Sequence, residues 1–301
     1  MPDPHAHAHG LSYDLEAMRS LIARRRVLRL FAGTGAVALL GGCGGDSGAS
    51  SDGDISVVDT SPTPAPTPTA TATPTPTPTS STTTCIADPE ETAGPYPADG
   101  TNTASGSTSN VLTISGIERS DIRSSFISST TVASGTKLTI TLTLVDSNAS
   151  CAPLAGYALY LWHCDNEGHY SLYSAPSESY LRGIQVTDSN GQATFVTNFP
   201  ACYSGRWPHI HFEVYSSLSN ATSGRYALLT SQLCMPEAIC DTVYADSSLY
   251  PSSATRLASI TLSSDNVFGD NTAAQIAQQT PAVGGSVSSG LTASATIGLA
   301  T

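Results

Sequence analysis

Tyr203-Ser-Gly-Arg206-Trp-Pro-His209-Ile-His211-Phe-Glu-Val-Tyr215 reads as a strand entered through a glycine-containing loop. From His209 onward the side chains alternate, so His209 and His211 point to the same face, two residues apart. Two imidazoles on one strand face are half of a metal site. Tyr203 and Arg206 lie beside them. A second tyrosine-bearing segment, Trp162-His-Cys-Asp-Asn-Glu-Gly168-His-Tyr170-Ser, precedes them by one strand-turn-strand interval.

Working outward, the neighbouring sequence is β-forming. Lys137-Leu-Thr-Ile-Thr-Leu-Thr-Leu-Val145 places Leu138, Ile140, Leu142 and Leu144 on one face and threonines on the other. Tyr157–Trp162, Ala193–Thr197, Ile210–Tyr215, Tyr226–Leu233 and Leu257–Leu262 are also strand-like, and Asp188-Ser-Asn-Gly191 is a turn. Short strands separated by turn signals predict an all-β chain folded as a β-sandwich, with few or no long helices.

Only the middle of the 301 residues has the composition to build a core. Residues 1–42 read as an address. Arg24-Arg-Arg26-Val-Leu-Arg29 precedes a short apolar run, Leu30 to Leu40, resembling a twin-arginine export signal, and Leu40-Gly-Gly-Cys43 resembles a lipobox. A lipidated Cys43 would hold the protein at a membrane surface without a spanning helix, on the exported side of the cell envelope. His5, His7 and His9 fall in this leader and receive no site role.

Residues 43–84 run from Ser and Gly into alternating Pro and Thr. Polyproline II at about 3.1 Å per residue makes the Pro62–Pro78 run a semi-rigid spacer of roughly 50 Å. Residues 85–272 are the expected folded domain. Residues 273–301, made of small residues without charge, read as a flexible tail. The chain carries 24 acidic and 12 basic residues, and beyond residue 42 the balance is 21 to 7. Such a surface repels phosphate backbones, which argues against nucleic acid as a partner.

Six cysteines, Cys85, Cys151, Cys164, Cys202, Cys234 and Cys240, fall within the expected domain. In an exported protein they allow up to three disulfides, and Cys234 and Cys240 are close enough to close a small loop. No Cys-x-x-Cys spacing appears, which favours disulfides over thiolate metal binding.

The candidate ligands near the two histidines are oxygen donors: Tyr203, six residues before His209 across a loop containing Gly205, and Tyr170, after the Gly168 turn. A pair of tyrosinates beside two imidazoles favours ferric iron over zinc or copper(I). The arginines and lysine beyond residue 42 number six and one, so Arg206, three residues from a candidate ligand, stands out as a cation for charge on a bound aromatic.

Tyr180-Leu-Arg-Gly-Ile-Gln-Val-Thr-Asp188-Ser-Asn-Gly, continuing through Asn198-Phe-Pro-Ala-Cys-Tyr203 to His211, resembles the core of the intradiol ring-cleavage dioxygenases, especially their exported protocatechuate dioxygenase-like branch. The likeness extends through Trp162–Ser171, Arg119-Ser-Asp-Ile-Arg123 and Glu91-Thr-Ala-Gly-Pro-Tyr96, and so covers most of residues 85–235.

The resemblance implies an intradiol-type β-sandwich with a non-haem Fe(III) cofactor held by Tyr170, Tyr203, His209 and His211. By motif, Tyr203 matches the tyrosinate released when catechol chelates the iron and Tyr170 the one that stays. Arg206 matches the arginine that stabilises ketonised substrate, and Gln232 resembles a glutamine near the oxygen site. The implied reaction inserts both atoms of O2 into a catechol-type aromatic, giving a muconate-type diacid. The sequence departs from the family in lacking the long helical dimerisation region of catechol 1,2-dioxygenases and in its short Tyr203–His209 loop. Its export signal, stalk and cysteines are also unlike the cytoplasmic degraders. Two alternatives are a surface binding or adhesion sandwich with a non-catalytic metal site, and a zinc or copper site using His163 or His169.

Overall fold

Alternating Leu138, Ile140, Leu142 and Leu144 make β1, Lys137–Asp146, and all four side chains are fully buried while the threonines between them are half-exposed. This strand anchors the first of two sheets in a computed structural model that describes residues 85–301. The leader, residues 1–42, and the Pro/Thr-rich spacer, residues 43–84, lie outside the described residues. β1 pairs antiparallel at Val145 and Asp146 with β2, Ala152–Pro153, and over Lys137–Thr143 with β5, Gln192–Asn198. It pairs in parallel with β9, Gly290–Leu299, which pairs antiparallel with β8, Ala282–Ser286.

The second sheet is antiparallel throughout. Its order is β4, Arg182–Val186; β3, Ala158–Trp162; β6, His209–Tyr215; and β7, Leu229–Cys234. Leu159, Leu161, Ile210, Phe212, Val214 and Leu233 from this sheet share one apolar cluster with the β1 leucines and Phe195. The two sheets thus form the expected all-β sandwich. All seven residues of β6 are buried, so the face opposite the core, which carries His209 and His211, is roofed by loops.

Helices are short: α1, Glu237–Tyr244; α2, Ser253–Leu257; and α3, Ala273–Gln279. No helix among the described residues is long and apolar enough to cross a membrane.

Three expectations are corrected. Residues 273–301 are not a flexible tail. They form α3, β8 and β9, and β9 buries Leu291, Ala293, Ala295, Ile297 and Leu299 while in register with β1 from Leu138↔Leu291 to Asp146↔Leu299. Their small residues disguise a period-two pattern that only a distant partner strand completes. Leu257–Leu262 is not a strand, since Leu257 closes α2 and turns follow. Of the disulfides allowed, Cys85–Cys151 forms, whereas Cys164, Cys202, Cys234 and Cys240 are free and buried. Burial pushes the Cys202 and Cys234 thiols up to about 12 and about 11, so they behave as small apolar side chains. Cys234 caps β7 against Thr280, and Cys240 sits in α1 beneath the Met235 carbonyl, which separates the pair expected to bridge.

Candidate metal centre

Strand register builds one wall of the site. Arg182, Trp162, His211 and Gln232 lie abreast on β4, β3, β6 and β7, and His209 is one step along the same face. The indole of Trp162 stacks on His211 with ring centres 4.8 Å apart and planes 6° from parallel, and Tyr160 stacks on Trp162 at 4.9 Å. That stack fixes the His211 ring plane. His209 is oriented through Nδ1, which donates to the Trp207 carbonyl at 2.5 Å and leaves the Nε2 lone pair facing inward.

Two loops bring the phenols. Tyr170, on the β3–β4 connection, is fully buried and packs on Tyr96 with ring centres 4.7 Å apart. Its OH lies 3.2 Å from His209 Nε2 and 3.1 Å from His211 Nε2. Tyr203, before β6, is half-buried, and its OH is 3.2 Å from His209 Nε2. The two Nε2 atoms are 3.1 Å apart. Gly168, with φ +93°, lets the β3–β4 loop approach, since a Cβ there would stand 3.0 Å from Tyr203 Cβ.

Separations of 3.1–3.2 Å among four inward donors match ligands sharing one ion with bonds of about 2.0–2.2 Å. Burial pushes the Tyr203 phenol up to about 12 and Tyr170 well above its ordinary value. Burial, with Arg206 beside it, pulls His209 down to about 3, and burial with His209 pulls His211 well below its usual range. Without a metal the site therefore holds neutral imidazoles and protonated phenols, with His211 Nδ1 buried and unpartnered. A cation of high charge reverses the phenol preference and uses both imidazole lone pairs. Among the described residues no three His, Cys, Asp or Glu side chains are grouped to hold a metal, so a centre here needs the phenols.

Arg206 is buried beside these donors. Its Nη2 donates to Gln232 Oε1 at 2.7 Å, its Nε to Asp265 Oδ2 at 3.0 Å, and its Nη1 stands 3.5 Å from His209 Nε2. Gln232 is held in turn by donating to the Thr92 carbonyl. Tyr170, Tyr203, Arg206, His209, His211 and Gln232 are thus brought together. His163 is not with them, being buried between the Cys164 carbonyl and Thr197 Oγ1, and His169 is exposed near Asp165 and Glu167.

Residues to which the sequence attached no role also shape the site. Gly94, with φ +71°, brings the Glu91–Tyr96 segment over His211, where an added Cβ would lie 3.3 Å from Cε1. Arg182, buried on the same sheet face, donates to the carbonyls of Tyr96, Pro97 and Ser171 and so ties that segment to the Tyr170 loop. Asp265 lies outside the stretch that carries the family likeness. Its one local signal is a turn in which Oδ1 accepts from Val267 and Phe268 N–H.

One roofed face of the sandwich thus brings four inward-facing donors and a buried guanidinium together. Residues 118–238 match the family model for dioxygenases. The fold is similar to an intradiol ring-cleavage dioxygenase from Tetranychus urticae, at 25% identity over 72% of this chain and 95% of that one, with a TM-score of 0.53. Weaker likenesses include the dioxygenase domain of a carbohydrate-binding fusion from Streptomyces sp. SirexAA-E (21% identity, 72% and 99% covered, TM-score 0.43). Another is 3-chlorocatechol 1,2-dioxygenase from Rhodococcus opacus 1CP (20%, 55% and 60%, TM-score 0.35). No curated protein matches the sequence. Over residues 118–238 the chain thus matches the dioxygenase family, and its fold is similar to that of an intradiol ring-cleavage dioxygenase.

Proposed function

We propose that the protein is an iron(III)-dependent intradiol dioxygenase that opens a catechol-type aromatic between its hydroxyls and incorporates both atoms of O2, giving a muconate-type diacid. The observation that carries this reading is the convergence of Tyr170, Tyr203, His209 and His211 with Arg206 alongside. Bound ferric iron would supply the Lewis acidity that makes a catecholate reactive towards O2.

The chain's own residues have separable tasks. His209 and His211 present fixed lone pairs. Tyr170, fully buried under Tyr96, is the phenol that stays. Tyr203, half-buried on a loop closed by Gly205 with φ +83°, is the phenol that would leave and accept a proton from incoming substrate. Arg206 Nη1 faces the donors and stabilises negative charge on the substrate oxygen as the ring is attacked. Gln232 Oε1 holds that guanidinium by accepting from Nη2. The roof of loops keeps bulk water from the reacting carbon.

Iron-loaded protein mixed with catechol under labelled O2 is expected to yield muconate carrying two labelled oxygens. Absence of oxygen uptake, or a yellow ring-opened aldehyde from cleavage beside the hydroxyls, would refute the assignment.

We further propose that the domain works outside the cytoplasm, held at the envelope by lipidated Cys43. The leader sequence supports this, as does the Cys85–Cys151 disulfide, which suits an oxidising compartment. Metabolic labelling with a fatty acid is expected to mark the wild type and not Cys43→Ser; equal labelling of both would overturn the anchor.

A further inference from the structure

The guanidinium of Arg206 is held at two of its nitrogens. Nη2 donates to Gln232 Oε1 at 2.7 Å. Nε donates to Asp265 Oδ2 at 3.0 Å, in an ion pair whose carboxylate side chain is wholly buried. The same Oδ2 accepts the Trp207 N–H at 2.7 Å, and Oδ1 accepts the N–H groups of Val267 and Phe268 at 2.8 and 3.0 Å. The carboxylate is thus saturated with donors and rigid, and the Phe268 ring lies 5.9 Å from the guanidinium carbon. With Nε and Nη2 both engaged, Nη1 is left beside the donor cluster, 3.5 Å from His209 Nε2.

We propose that Asp265 is a positioning residue for the ring-cleavage reaction, acting through Arg206 by aiming Nη1 at the substrate oxygen and by supplying the counter-charge that keeps a buried guanidinium in place. The proposal rests on the catechol dioxygenase reading. It makes the segment after α2 part of the active site, although that segment lies beyond the matched residues 118–238. Asp265 hydrogen-bonds to Arg206 and to the N–H groups of Trp207, Val267 and Phe268, and to none of the four donors. Its hydrogen bonds reach the site through Arg206, and through the Trp207 backbone two residues ahead of His209. An amide at this position would keep an oxygen for the Val267 and Phe268 N–H groups. It would lose the charge and confront Arg206 Nε with a second donor.

The test is a double-mutant cycle of wild type, Asp265→Asn, Arg206→Gln and the double variant, read in three ways: steady-state kinetics with catechol, anaerobic catechol binding to the iron-loaded protein, and thermal unfolding of the iron-free protein. Asp265→Asn is expected to lower kcat by about 10–100-fold, in line with loss of one oriented charge-stabilising donor, while anaerobic catechol binding stays within about threefold. In the Arg206→Gln background the same substitution is expected to cost less than about threefold in kcat. Unfolding midpoints should show the same non-additivity, which tests the clamp even if catechol is not turned over. Wild-type kcat in Asp265→Asn, or equal losses in both backgrounds, would overturn the proposal, whereas a wild type that leaves catechol untouched would overturn the dioxygenase reading instead. If Asp265→Asn does not fold, the size-matched pair Asp265→Glu and Asp265→Gln decides. The charged variant must be at least about tenfold faster, and equal rates refute the role.

Discussion

Termination of the chain after Thr280, which removes β8 and β9, is expected to prevent folding. The magnitude follows from β9. Leu291, Ile297 and Leu299 are buried to within 5% of full burial, and each contributes about 1.5–3 kcal/mol, or roughly 5–9 kcal/mol for the three. A whole domain is stable by about 5–15 kcal/mol, so this loss alone is of the same order. Removal also strips β1 of its parallel partner from Leu138 to Asp146 and exposes a nine-residue edge. Point variants grade the effect. Ile297→Ala, at a fully buried position, should cost about 2–5 kcal/mol in urea unfolding, whereas Thr296→Ala, exposed on the other face, should stay within about 0.5 kcal/mol. A truncated protein that melts cooperatively at the full-length midpoint, or an Ile297→Ala variant as stable as wild type, would refute this account of the core.

Gly94→Ala forces a side chain onto φ +71° and 3.3 Å from His211 Cε1, so a stability loss of about 1–3 kcal/mol with weakened iron retention is expected; unchanged melting and iron content would count against the close approach. Burial raises the Asp88 carboxyl from 3.8 to about 7, despite N–H donation from Gly298 and Gln278. The native state thus binds more protons than the unfolded chain between these values. Asp88 favours folding at acid pH, and that contribution is lost as pH rises from about 4 through about 7. Asp88→Asn should flatten that part of the stability profile, and an unaltered slope would contradict the shift. Cys151→Ala opens a loop of 66 residues, and the chain-entropy relation gives a loss of about 4 kcal/mol, measurable as a lower unfolding midpoint under oxidising conditions only. An equal loss under reducing conditions would point to packing instead.

What the sequence disclosed, and what it hid, follows from the range of the interactions involved. The strand at Lys137–Val145 declares itself because leucine and isoleucine alternate with threonine, and the site strand because His209 and His211 fall on one face of an otherwise apolar run. β9 uses the same alternation, but with alanines at two of its buried positions and threonine, serine and glycine between, so its hydrophobic signal is weak until β1 lies beside it. The cysteines misled for a related reason. Cys164, Cys202, Cys234 and Cys240 are buried as small apolar groups, and nothing local distinguishes that use from a disulfide. Tyr170 and Tyr203 were legible as candidate donors through their motifs. Asp265 was not, because an aspartate in a Ser-Asp-Asn turn looks like an ordinary loop residue until folding sets it under Arg206.

The central claim is that two phenols and two imidazoles hold ferric iron for catechol cleavage. The visible spectrum of purified protein loaded with one equivalent of iron tests it most directly. Tyrosinate-to-iron charge transfer should colour wild type red, anaerobic catechol should shift the band, and Tyr170→Phe should lose much of the colour. A colourless wild type, or a Tyr170→Phe variant with undiminished colour and rate, would contradict it.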